Sequence, residues 1–245
     1  MNDRPMPGSS AGLVERKGGG CFLVGSGPGL NAVDVTRLAR LDTMAFNRSY
    51  IAWMQWGFAP TLYACLDHLA FEDNVPEIKR LIEEFPRTRF FLPDRAASFG
   101  IRSSAQVSLI GMAPGHKFSS DILALTDFGN VGATSLQILA LLGYRRITMI
   151  GVDARYRRAE QAPVVAEEEG YVLLEDDTDH FSAEYGRGRR SRANPDLGRI
   201  LGQWPEVASE CARIGIEVRN ASRGSALECF PRTDFASAID WVLGR

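Results

Sequence analysis

The amino-acid sequence predicts an α/β fold: a Rossmann-like, mostly parallel sheet with helices on both faces and one polar, lid-like excursion. Three observations carry this. Short continuous apolar runs, Cys21-Phe22-Leu23-Val24 first among them, recur along the chain and suit strands buried on both faces. Each run is followed by a segment with helix-spaced apolar residues, and repeated strand, helix, strand order implies parallel pairing through right-handed crossovers. The first run closes on a glycine turn, Gly25-Ser26-Gly27-Pro28-Gly29, the usual link between a buried strand and the next helix of such folds.

The elements follow in order. After the glycine turn, Leu30 to Leu41 has helical spacing, Thr43-Met44-Ala45-Phe46 is a second strand closing on Asn47, and Tyr50 to Phe58 is a brief helix. Leu62 to Leu66 is a third strand closing on Asp67. Val75 to Phe85 places Val75, Ile78, Leu81, Ile82 and Phe85 on one helix face, and Arg89-Phe90-Phe91-Leu92 is a strand stopped by Pro93. Asp94 to Asp127 has weak periodicity and yields no element. Gly132 to Leu142 is the strongest helix, ended by Gly143, and Ile147 to Ile150 is a strand leading into Gly151-Val152-Asp153. Asp196 to Ile214 is helical, Ile216 to Arg219 is a last strand, and a closing helix runs from Asp234 to Leu243, capped by Thr233 or Asp234.

At 245 residues, with 45% hydrophobic and 24% charged residues, the chain is expected to form one domain over residues 21–245 behind a flexible arm, residues 1–20. Residues 155–194 turn polar without a sustained period, and a stretch of that length reads as a lid or acceptor-binding excursion. A net charge of −2 provides no global field for nucleic acid. The sequence contains no apolar stretch long enough to span a bilayer. Cys21, Cys65, Cys211 and Cys229 lie far apart, which points to neither a disulfide framework nor a zinc site, and a reducing cytoplasm fits them, with room for a position peripheral to the inner membrane.

In parallel sheets ligands gather beyond the carboxyl ends of the strands, so Gly25 to Gly29, Asn47, Asp67, Asp153 and Asn220 to Ser222 are expected to converge on one crevice. The glycine turn brings backbone N–H groups and a helix start to an anion, or else is a tight turn with no ligand. Its GxGxG spacing, with Pro28 suited to a first helical position, is not the dinucleotide fingerprint. Asn47 and Asp67 suit a base edge and ribose hydroxyls, or are strand-end caps. A second glycine-rich approach, Asp127 to Ser135, offers Gly132, Ala133, Thr134 and Ser135 at a helix start.

Within the excursion, His180 follows Asp179; an imidazole accepts a hydroxyl proton near neutral pH and an adjacent carboxylate orients it, although a loop histidine is often only a surface residue. Arg187, Arg189, Arg190 and Arg192 suit phosphate or carboxylate oxygens, or form a solvated basic loop. The acidic run Glu167-Glu168-Glu169, with Glu175-Asp176-Asp177, shows no recurring ligand spacing, and no metal is assigned.

Several of these pieces, in this order, resemble the superfamily of bacterial CMP-sialic-acid-dependent sialyltransferases, motility accessory factor glycosyltransferases and hydroxymethylpterin pyrophosphokinases. Phe22 to Leu30 resembles its opening strand and GxGPSL turn, and Ala45-Phe46-Asn47 its second strand. Gly132 to Ile147 and Ile150 to Asp153 are similar to its central helix and GxD strand end, and Asn220 to Leu227 to its late strand. Gly29 stands where the sialyltransferase branch has Ser, and Asp127 to Asn130 where it has an Arg. The resemblance implies a metal-independent glycosyltransferase with a nucleotide-sugar co-substrate, CMP-linked first, and a glycan or small-molecule hydroxyl acceptor. It implies that Gly25 to Gly29, Asn47 and Gly132 to Ser135 hold the nucleotide, and that His180, Tyr156 and Tyr185 serve the transfer. Two alternatives stay open: a pyrophosphokinase using ATP and magnesium on carboxylates such as Asp67 and Asp153, and a non-catalytic nucleotide-binding protein.

Overall fold

In the computed structural model, which describes residues 19–156, 164–168, 171–174, 176–192 and 196–245, eight strands form one wholly parallel sheet. In chain order they are β1 (Gly20–Val24), β2 (Thr43–Phe46), β3 (Leu62–Ala64), β4 (Arg89–Pro93), β5 (Val107–Pro114), β6 (Ala124–Asp127), β7 (Arg146–Ile150) and, after the excursion, β11 (Glu217–Asn220). The spatial order is β11-β7-β1-β2-β3-β4-β5-β6. The chain winds outward from β1 through β6, then returns to place β7 on the other side of β1, so the topological switch point lies between β1 and β7. The excursion contributes a separate antiparallel sheet, β8 (Val164–Glu168), β9 (Tyr171–Leu174) and β10 (Arg190–Arg192). Residues 1–18 of the expected arm and Glu169 and Glu175 of the acidic run lie outside the described residues.

Alternation along the strands builds two cores. Cys21, Leu23, Met44, Leu62 and Ala64 face one side, under the helices Val131–Leu141 and Trp204–Arg213. Phe22, Val24, Ala45, Tyr63 and Phe90 face the other, under Val75–Glu84 and Phe235–Leu243. A sheet covered on both faces needs continuous apolar strands, which is why the runs read from the sequence coincide with β1 to β4 and β7. Trp53, only 2% exposed, packs edge-on against Tyr63 and Phe85 in the second core.

Three expectations are corrected. Leu30 to Leu41 is not one helix but two 3-10 turns, Pro28–Ala32 and Val35–Leu38, because Val33 is extended and the Asp34 side chain caps Thr36 N–H. Asp94 to Asp127 holds β5 and β6, half-buried strands on the outer side of the sheet. Asp196 to Ile214 breaks at Gln203 into Leu197–Gly202 and Trp204–Arg213, with Pro205 opening the second helix. Among the described residues, no helix is long and apolar enough to cross a membrane.

Candidate functional site

The glycine turn is zipped onto the extension of β7. Gly25 N–H donates to Ile150 O at 2.8 Å, Gly27 N–H to Gly151 O at 2.7 Å, and Gly29 N–H to Asp153 Oδ2 at 2.6 Å. A Cβ on Gly25 would meet the Gly151 carbonyl, with Val152 Cγ2 at 2.9 Å; on Gly27 it would lie 2.5 Å from Asp153 Cγ. These glycines are required by protein approaching protein, since their missing side chains admit β7 and the Asp153 carboxylate.

Asn220 and Ser222, both fully buried, are spent on holding the loop after β11 against this seam. Ser222 Oγ accepts from Val152 N–H at 2.9 Å, Asn220 Oδ1 accepts from Ser222 N–H at 2.9 Å, and Asn220 Nδ2 donates to Ser225 Oγ at 3.0 Å. Ser225 Oγ in turn donates to Val152 O at 2.8 Å. The loop so fixed presents Arg223.

At the switch point, where ligands of this architecture bind, a cavity of about 260 Å³ opens between the turn, the end of β7, this loop and the excursion. Pro28, Gly29, Asp153, Arg155, Thr178, Asp179 and Arg223 line it. The Arg155 and Arg223 side chains are exposed and make no hydrogen bond or ion pair with any described residue. The other excursion arginines with described side chains are engaged: Arg187 with Asp176, Arg189 with Glu77 and the Asp73 carbonyl, and Arg190 with Glu72 and Asp73. Arg189 and Arg190 fasten the excursion onto the helices His68–Glu72 and Val75–Glu84 and their junction, while Arg187 pairs within the excursion, so none of the three forms the phosphate cluster that was one reading of their spacing.

Residues 176–190 cross the strand ends as a strap. Phe181 N–H donates to Ser26 O at 2.8 Å, Asn31 Nδ2 to Phe181 O at 2.9 Å, and the Arg48 guanidinium to the Glu184 and Tyr185 carbonyls. His180 Nδ1 stands 2.8 Å from both carboxylate oxygens of Asp177, so the orienting carboxylate is not the adjacent Asp179 but one a turn earlier. With a carboxylate as partner, Nδ1 is the nitrogen that donates, which leaves Nε2 as the ring's other hydrogen-bonding position. The ring stacks on Tyr185 with centroids 3.8 Å apart. Tyr185 is 7% exposed; its hydroxyl accepts from Ser26 Oγ at 3.1 Å and Arg48 N–H at 3.3 Å, and burial pushes the phenol well above its usual range. It therefore anchors the strap. Tyr156 is exposed and does not line the cavity.

The other expected residues sit elsewhere. Asn47 closes β2 in the left-handed region (φ 50°), and its Oδ1 is buried without a hydrogen-bond partner. Asp67 caps a helix by accepting from Ala70 N–H at 2.8 Å. Gly132, Ala133, Thr134 and Ser135 are buried: a Cβ on Gly132 would lie 3.2 Å from the Trp204 ring, and Asn130 Oδ1 takes the Ala133 N–H at 2.7 Å. Protein fills the second glycine approach. Of the expected nucleotide residues the structure gathers Pro28, Gly29 and Asp153 at the cavity, with Gly25, Ser26 and Gly27 behind it. Sequence reading missed Arg155, Arg223, Thr178 and Asp177. The first two were within its reach, lying two and three residues beyond strand-end positions Asp153 and Asn220. Among the described residues no group of three or more His, Cys, Asp or Glu side chains is placed to hold a metal ion.

A wholly parallel sheet covered on both faces, with its cavity at the switch point, defines a Rossmann-like α/β protein. In solved structures this fold is similar to that of the Maf glycosyltransferase from Magnetospirillum magneticum AMB-1, with a TM-score of 0.51 and 16% identity over 96% of this chain. This chain spans 37% of that protein's length. The sialyltransferase CstII from Campylobacter jejuni is also similar. Its complex with CMP-3FNeuAc gives a TM-score of 0.45 at 14% identity, over 87% of this chain and 86% of that one. Its complex with cytidine-5'-monophosphate gives 0.43 at 13%, over 87% and 84%. No protein-family model and no curated protein matches the sequence.

Proposed function

We propose that this chain is a glycosyltransferase of the superfamily its motifs resemble, moving a sugar from a nucleotide-sugar donor, CMP-linked first, to a hydroxyl acceptor. The observation that carries the proposal is the switch-point cavity with Arg155 and Arg223, two arginines with unengaged side chains, among its lining residues, and with Asp179, the sequence neighbour of the His180–Asp177 pair, lining it too. The fold shared with a Maf glycosyltransferase and the motif resemblance point the same way. At about 260 Å³ the cavity is below the usual range for a complete small-molecule site, so it takes the phosphate and a neighbouring ring of the donor.

In the proposed step the acceptor oxygen bonds to the anomeric carbon as the bond from that carbon to the phosphate oxygen breaks. The bonding pair leaves on the phosphate, where Arg155 and Arg223 stabilise it, and the hydroxyl proton passes to His180 Nε2. The guanidiniums supply the positive charge, and the reaction is proposed to proceed without a divalent ion. The pyrophosphokinase alternative gains no shared site, since Asp67 is committed to a helix cap and does not line the cavity with Asp153.

The test is donor hydrolysis across CMP-, UDP- and GDP-sugars with and without chelator, alongside thermal protection by the free nucleotides. Turnover that survives the chelator and falls at least about 100-fold in His180→Ala supports the proposal. Protection without product after long incubation favours a binding protein. No turnover and no protection overturns the proposal.

A further inference from the structure

The glycine turn is the feature a reader of the sequence would choose as the phosphate seat, yet its geometry contains an anion already. Asp153 Oδ2 receives the Gly29 N–H at 2.6 Å, and the carboxylate lies where Cβ atoms on Gly27 or Gly29 would fall, 2.5 Å from Cγ and 2.7 Å from Oδ1 respectively. Asp153 is 9% exposed, and its backbone oxygen is held by Ala226 N–H at 2.8 Å, so it belongs to the folded seam. A ligand phosphate on that N–H would have to displace this carboxylate or lie against it as a like charge.

We infer that Asp153 is the resident anion of the glycine turn, and that a ligand's phosphate is instead bound by Arg155 and Arg223 across the cavity. Guanidinium forks match phosphate oxygens in paired hydrogen bonds. Both residues line the cavity and neither side chain is engaged by a described residue, while Arg187, Arg189 and Arg190 of the excursion are all in ion pairs. Arg155 lies two residues past Asp153 on the β7 extension, and Arg223 is carried by the loop that Asn220, Ser222 and Ser225 tie down. The turn thus positions the cavity wall, and the two arginines supply its positive charge beside the Asp153 and Asp179 carboxylates that line the same cavity.

The inference uses the nucleotide-sugar reading only to choose one of its probes. Calorimetric binding of CMP, inorganic phosphate and pyrophosphate is measured for wild type, Arg155→Met, Arg223→Met and Asp153→Asn, with unfolding curves for each. Each arginine substitution is expected to weaken phosphate-bearing ligands about tenfold or more, as loss of a charge-assisted hydrogen bond does, with melting unchanged because both side chains are exposed. Asp153→Asn is expected to lower the melting temperature without weakening phosphate-bearing ligands. Wild type that binds phosphate or pyrophosphate through the arginines but not CMP supports this seat and sinks the CMP reading. Arginine variants that bind like wild type overturn the inference, as does wild type that binds none of the three probes. If Asp153→Asn fails to fold, the arginine pair still decides.

Discussion

Replacing Gly25 with Ala tests the packing on which the whole site stands. The new Cβ would run into the Gly151 carbonyl, with its carbon at 2.8 Å and Val152 Cγ2 at 2.9 Å, and two of these three contacts are backbone that no rotamer can move aside. Relief to ordinary contact needs a shift of roughly 1 Å between β1 and β7. That shift stretches Gly25 N–H to Ile150 O, now 2.8 Å, and Gly27 N–H to Gly151 O, now 2.7 Å, past useful length. Two lost hydrogen bonds at about 1 kcal/mol each, with about 1–3 kcal/mol of overpacking strain, make about 3–5 kcal/mol. For a chain of this size that is a fall in melting temperature of roughly 6–20 °C. Gly202→Ala, where an added Cβ meets nothing within 4 Å, is the control and should melt within a few degrees of wild type. Differential scanning calorimetry reads both. A Gly25→Ala protein that melts with the control would refute the close approach of β1 to β7.

Arg213 first, and then the Phe118 N–H, hold the Glu210 carboxyl down to about 2 from its usual 4.5. A depressed carboxylate contributes stability above pH 4.5 and loses it as pH falls towards 2, so Glu210→Gln should be destabilised at pH 7 in urea titrations, with the gap to wild type closing below pH 4.5. Trp204→Ala removes a ring that is 4% exposed and packed on Phe230 and Gly132, and should cost about 3–5 kcal/mol in the same assay. Asn220→Ala leaves the Ser222 N–H without its acceptor at a buried site; about 1–3 kcal/mol of lost stability is expected. Faster amide exchange in residues 221–226 and weaker CMP binding should accompany it.

The central strands were legible because burial on both faces leaves no room for polar residues, so Phe22 to Val24 and Met44 to Phe46 announce themselves by composition alone. β5 was not, because of its eight residues only Val107 and Ile110 are buried, and Ser108, Gly111 and Pro114 blur what alternation remains. The 3-10 turns after β1 escaped because Leu30, Val35 and Leu38 are buried as helix residues would be, while the break is set locally by Asp34. In the site, strand-end position was readable and partnership was not. Gly29 and Asp153 both stood out as ligand residues, yet they lie 124 residues apart and bind each other. Tyr185 has a phenol suited to chemistry, and only its burial against Ser26 and Arg48 reveals an anchor.

The seam between β1 and β7 divides the molecule by its tolerance of change. Three positions there admit no side chain at all, so a lineage carrying this fold has little latitude to alter the floor of the cavity. Its roof is another matter: Arg155, Thr178 and Arg223 are exposed residues, where exchange of one side chain disturbs no buried packing. Diversification of ligand preference among descendants of this chain is therefore confined to the strap and the loop after the last strand, and libraries aimed at new specificities belong there.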